Sequence, residues 1–320
     1  MARLIVKIIT AIQLTRLTMA FGAVADVWFV ILLTRATQHD TDIRVATMDL
    51  WAALAAGAVI AVGLFAYGAS LNDVLDVRHD AAFSPDRPIP AGRIKLGQAV
   101  VVTIGALIVA VLASTALDTW ALWVTLLTAA GILFYNATGK FVPAVGFITI
   151  GLVHAAHMLI PNAHLEFMWP VWLVMTHTIV IAAIVHVLED KRPRLTVRAL
   201  IAAILGWLVW SSVIIAWGIK QGGIWPEGVP AWTVIWPILT VLSFISVAWW
   251  KVSSQTGAAA AEKLKRYGAM WQALYGAGWL AALGLNLEAA WIGGFAIAGF
   301  AAMTLIKEVT GLTGKPIAYR

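Results

Sequence analysis

Apolar residues run through this chain in long stretches broken by short polar punctuation. A membrane-spanning helix needs about 20 predominantly apolar residues. Ten stretches qualify: 17–34, 48–70, 96–117, 119–136, 141–160, 167–188, 198–219, 230–251, 267–285 and 288–306. The last two also read as one span followed by a re-entrant or interfacial piece. Residues 1–16 mix Arg3, Lys7 and Arg16 with Leu and Ile and have no small-residue cleavage site, which predicts an amphipathic helix lying in the interface instead of a signal peptide. The pattern predicts an all-α integral membrane protein, a bundle of nine to ten transmembrane helices, with residues 1–320 forming one domain.

Composition supports a bilayer. The chain is 61% hydrophobic and 12% charged, against about 25% charged in soluble domains. There is no Cys, which excludes disulfides, thiolate catalysis and cysteine-held metal clusters. With ten spans, all of the 22 Lys and Arg residues except Arg35, Arg44 and Lys220 fall on one side, which the positive-inside rule makes cytoplasmic. Topology and lipid headgroups therefore account for the net charge of +6, and no nucleic-acid partner is needed.

Chemistry concentrates in two loops on that side, 71–95 and 189–197. In the first, Asp73, Asp76 and Asp80 are spaced i, i+3, i+7 and share one face of a helix. Carboxylates so placed repel one another unless a hard cation lies among them, and Mg²⁺ completed by phosphate oxygens is the usual solution. Asn72 adds an oxygen ligand or a hydrogen-bond donor. Arg87, Arg93 and Lys95 supply positive charge for phosphate, with Pro88 and Pro90 stiffening the strap between them. The bland alternative is a solvated loop whose acids and bases pair with each other.

Asn72-Asp73-Val74-Leu75-Asp76-Val77-Arg78-His79-Asp80, followed by Arg87-Pro88-Ile89-Pro90-Ala91-Gly92-Arg93, resembles the first signature of the UbiA superfamily of intramembrane prenyltransferases, with Ala91 where Ser is common. The resemblance implies about nine transmembrane helices around a central cavity, Mg²⁺ as cofactor, and transfer of a prenyl group from a prenyl diphosphate to a lipophilic acceptor. It also implies phosphate-binding residues after spans 2 and 6.

The second loop departs from the family's D-x-x-x-D. Asp190 fits its second acid, a metal-binding and catalytic position, but His186 replaces the first and Arg194 stands at an occasional third. Glu189 is the neighbouring carboxylate, which a helix turns about 100° from Asp190. Lys191 and Arg192 either add cationic charge for the diphosphate or are topology charges. The expected metal set is Asp73, Asp76, Asp80 and Asp190.

Inside the spans, Asp26 is costly as a charge and faces either a cavity or a helix partner. His154 and His157 share a face of span 5 and orient the acceptor, accept a proton, or satisfy interhelical hydrogen bonds. Lys140, closing span 4 beside Tyr135 and Asn136, reaches the diphosphate or anchors topology. The 17 Trp residues read mainly as interfacial belts and packing. Other classes stay open: a polyprenyl-phosphate phosphoribosyl- or glycosyltransferase of the same superfamily, or a non-enzymatic haem- or quinone-binding protein using His154, His157, His177 and His186. A transporter fits less well, since the acids sit in loops and not at the midplane.

Overall fold

A computed structural model describes residues 10–38 and 43–312. Most of the expected interfacial helix at 1–16, and the basic residues Lys315 and Arg320, lie outside them.

Eleven principal helices follow in order: α1 (Phe21–Thr37), α2 (Leu50–Leu75), α3 (Val77–Phe83), α4 (Leu96–Ser114), α5 (Thr119–Ala137), α6 (Pro143–Met158), α7 (Trp169–Leu188), α8 (Val197–Gly222), α9 (Ile235–Val252), α10 (Gly257–Ala282) and α11 (Asn286–Leu312). No strand occurs among the described residues. Helix starts follow local chemistry. The Asp49 carboxylate accepts the Ala52 N–H at 2.9 Å ahead of α2, and the Thr196 hydroxyl accepts that of Ala199 at 3.2 Å ahead of α8. Pro143 opens α6, where a missing N–H costs nothing.

Among the described residues, seven helical segments are long and apolar enough to cross a membrane. The other three expected spans fall on α1, α6 and α10. The first two are 17 and 16 residues long, and α10 carries a charged first half. The final pair of apolar stretches forms two long helices, α10 and α11, packed on each other. The protein is thus an all-α, multi-pass membrane protein.

Its outer surface shows why lipid must surround it: Val101, Leu112, Leu205, Val209, Ile245 and Trp249 are all exposed. Inside, small residues let helices touch. A Cβ on Gly63 of α2 would meet the Ala106 carbonyl of α4 at 2.9 Å, and one on Gly22 of α1 would meet the Ala269 carbonyl of α10 at 2.8 Å. Helix α1 packs on α2, α6, α10 and α11. Its Val24, Val27 and Ile31 join the core built with α2, α4 and α5, while Phe29, Val30 and Leu33 join the core built with α6, α7 and α8. It is the spine between the two halves.

Candidate functional site

Asp73 lies in the last turn of α2 and Asp80 in α3, with side chains only 4% and 3% exposed. The sequence reading puts these residues in a loop after span 2, with the three acids on one face if it is helical. The structure is helical with a break at Asp76 (φ −91°, ψ 9°). Helical hydrogen bonding persists across the break: the Asp76 N–H donates to the Asn72 carbonyl at 3.0 Å and that of Asp80 to the Asp76 carbonyl at 2.8 Å. Asp73 and Asp80 therefore stay on one side. The Arg87 guanidinium spans them, with Nη1 2.6 Å from Asp80 Oδ2 and 3.4 Å from Asp73 Oδ1. Asp76 is met separately by Lys140, whose Nζ lies 2.6 Å from Oδ2 and 3.2 Å from Asn72 Oδ1.

The strap holding Arg87 is a folded turn. The Arg93 and Ile94 N–H groups donate to the Pro88 carbonyl at 3.0 and 3.3 Å, and Gly92 adopts φ 68°, a left-handed conformation that glycine takes without strain. Two expected phosphate ligands are placed elsewhere by this turn. Arg93 donates to the Asp86 carbonyl and to Gln13 Oε1, tying the strap to the chain before α1. Lys95 is exposed at the cap of α4. The cation that does join is Arg16, in a left-handed conformation (φ 49°), with Nη2 2.9 Å from Asp73 Oδ1.

The second loop corrects the sequence reading more sharply. Asp190 has φ 44°, and its side chain is 68% exposed, pairing only with the equally exposed Arg192 and Arg194 at 3.7 and 3.4 Å. The structure brings neither Asp190 nor Arg192 to the site. Glu189 turns inward, 16% exposed, with Oε1 2.8 Å from Lys265 Nζ on α10 and Oε2 3.0 Å from Lys191 Nζ. Burial alone raises the Glu189 pKa, but the charges and hydrogen bonds of Lys265 and Lys191 outweigh it and hold the carboxyl below its usual range. His186 is buried with Nε2 3.0 Å from the Pro193 carbonyl. A carbonyl only accepts, so Nε2 carries the proton.

These loops form one charged mouth. Tyr135 lies within electrostatic range of both Asp76 and Glu189, and Arg16 within range of Lys265. Carboxylates and cations alternate around it: Asp73, Asp76, Asp80 and Glu189 against Arg16, Arg87, Lys140, Lys191 and Lys265.

Among the described residues, no three Asp, Glu or His side chains converge closely enough to hold a metal ion. The first loop nevertheless fits Mg²⁺ chemically. Its donors are carboxylate and amide oxygens, and Asp73 and Asp80 already converge on one cation, the Arg87 guanidinium. The second loop does not fit a metal. Asp190 faces away, Glu189 is held by two lysines, and the Nε2 of His186 is a donor.

The expected intramembrane site residues lie deeper. His154 is 11 residues past Pro143 along α6, about 16 Å of helix rise, so His154 and His157 do not meet the mouth. His154 Nδ1 donates to the Ile150 carbonyl at 2.9 Å. His157 Nε2 and Asp26 Oδ2 are buried without hydrogen-bond partners. His177 is engaged at both nitrogens, by the Gly268 carbonyl at 3.2 Å and the Tyr275 hydroxyl at 3.1 Å. That leaves it no free lone pair for an axial haem bond.

Residues 29–272 match the model of the UbiA prenyltransferase family. Two digeranylgeranylglyceryl phosphate synthases are similar in sequence. That of Saccharolobus solfataricus is 39% identical over 24% of this chain and 27% of its own, and that of Sulfurisphaera tokodaii 31% over 35% and 39%. The aligned stretches thus span less than half the length of these relatives. The fold resembles a UbiA homolog from Aeropyrum pernix K1 (TM-score 0.56, 14% identity, covering 82% of this chain and 98% of that one). It also resembles a solved structure concerning digeranylgeranylglyceryl phosphate synthase in membranes (TM-score 0.54, 18% identity, 94% and 100%).

Proposed function

The chain belongs to the UbiA prenyltransferase family, and from that premise we propose that it transfers a prenyl group from a prenyl diphosphate to a lipophilic acceptor at the charged mouth. The observation that carries this reading is Arg87 bridging the buried Asp73 and Asp80 beside the Lys140–Asp76 pair. Such a cluster exchanges its internal ion pairs for a polyanion and a divalent ion with little rearrangement.

Asp73, Asp76 and Asp80, with Asn72, would hold Mg²⁺, which when bound stabilises negative charge on the departing diphosphate. Arg16, Arg87 and Lys140 grip the phosphate oxygens, the arginines through paired donors and Lys140 as a point charge. As the allylic C–O bond breaks, its electron pair leaves with the diphosphate. The acceptor oxygen or ring carbon then bonds to C1 and releases its proton. Surrounding apolar helices keep water from the allylic cation. The acceptor we favour is a glycerol-phosphate lipid hydroxyl, after the activity named for the relatives. The basic end faces the cytoplasm, and residues 1–320 act as one unit.

Membranes carrying the chain, given labelled prenyl diphosphate and Mg²⁺, are expected to form prenylated lipid and release diphosphate. Asp73→Ala is expected to lower the rate about a hundredfold or more. An unchanged rate in that variant removes the proposed role. No turnover of the prenyl diphosphate, with turnover once a polyprenyl phosphate and an activated sugar are supplied instead, points to the polyprenyl-phosphate transferase alternative.

A further inference from the structure

We propose that Lys265, on α10 and outside both site loops, is a diphosphate-binding residue of this chain, parked on Glu189 until the donor arrives; this rests on the prenyl diphosphate reading above.

Placement comes first. The Lys265 Nζ is 2.8 Å from Glu189 Oε1, and the two side chains are 24% and 16% exposed. The pair is therefore partly accessible and not sealed in the core. Arg16 acts electrostatically on Lys265, and Arg16 itself binds Asp73 at 2.9 Å. Lys265 thus lies near enough to the first loop's charge cluster to feel its Arg16.

Competition comes second. The cations of the second loop itself are more exposed: Lys191, Arg192 and Arg194 are 51%, 66% and 67% exposed. A side chain that exposed loses more freedom on fixing a ligand than one already confined. Lys265, at 24%, is more confined than any of these three. With no metal accommodated at this loop, it is the positive charge best placed to face the diphosphate from there.

Exchange comes third. An ammonium has three donors and no directional fork, so moving from a carboxylate to a phosphate replaces one anion by another. Glu189 keeps a partner when Lys265 leaves, because Lys191 holds its other oxygen at 3.0 Å. No buried charge is orphaned by the swap, which would otherwise be its main cost.

The competing account is that the ion pair only staples α7 to α10, two helices that pack directly on each other. Binding of a non-hydrolysable prenyl thiolodiphosphate with Mg²⁺ to the purified full chain separates the two, measured calorimetrically beside a thermal melt. Lys265→Gln is expected to weaken binding about tenfold or more, with Lys265→Arg largely restoring it. Glu189→Gln removes the competitor for Lys265, so it is expected to bind at least as tightly as the parent while melting lower. Equal weakening by Lys265→Gln and Glu189→Gln, or no weakening by Lys265→Gln, overturns the proposal. If Lys265→Gln does not fold, weaker binding by Glu189→Gln overturns it alone. A parent protein that binds no thiolodiphosphate overturns the donor reading itself.

Discussion

Arg87 shows how two carboxylates can be buried side by side without unfolding the loop that carries them. Left unpaired, Asp73 and Asp80 would each cost several kcal/mol; Arg87 meets them at 3.4 and 2.6 Å, and Arg16 adds a second partner for Asp73 at 2.9 Å. Glu189 is answered in the same way by two lysines, and its lowered pKa makes a pH prediction. A carboxylate with a depressed folded pKa adds stability above its unfolded pKa and loses it as pH falls through the folded one. Thermal melts are therefore expected to drop as pH falls from neutrality through the region below the ordinary value of 4.5. Glu189→Gln should be less stable near neutrality yet lack that part of the acid sensitivity; parallel curves for the two proteins would refute this. Asp73, Asp76, Asp80 and Arg87 were legible as candidates because their spacing and the neighbouring motif carry the signal locally. Arg16 and Lys265 were not. Their partners lie 57 and 76 positions away, and each looks like an ordinary boundary charge until the chain is folded. Asp190 misled for the converse reason: it fills a motif position, but a left-handed backbone turns it to solvent.

Helix positions were the most legible layer, because apolar runs of about 20 residues between charged breaks leave few alternatives. The break at Asp76 was not visible, since the i, i+3, i+7 spacing is equally good on a straight helix. Nor did the sequence show which glycines matter. Gly151 on α6 lies against α7: a Cβ there would lie 2.5 Å from Ile179 Cγ1 and 3.1 Å from the Met175 carbonyl. Gly151→Ala is expected to cost about 1–3 kcal/mol, as overpacking does in well-filled interiors. A lower detergent melting temperature is the readout. Gly105 on α4 has open space around its Cβ direction, so Gly105→Ala is the matched control and should melt at or above the parent, helped by helix propensity. Equal melting temperatures for the two variants would contradict the packing argument.

At the scale of the whole molecule, the lack of cysteine makes orientation directly measurable. Arg194 and Glu227 are both exposed and lie in the loops flanking the 26-residue α8 at its opposite ends. Arg194→Cys is expected to react with a membrane-impermeant maleimide only in inverted vesicles, and Glu227→Cys only in intact cells. The reverse pattern would place the mouth outside. The position of α1 has a consequence for synthesis. It is made early, yet α10, one of the helices that cover it, begins only after roughly 220 more residues have emerged, on the order of tens of seconds at ribosomal speed. During that interval the Asp26 flank must be shielded by something other than its final neighbours. A nascent chain stopped at Val252 should therefore remain crosslinkable, through α1, to the insertion machinery, and only release of the last two helices should let it go.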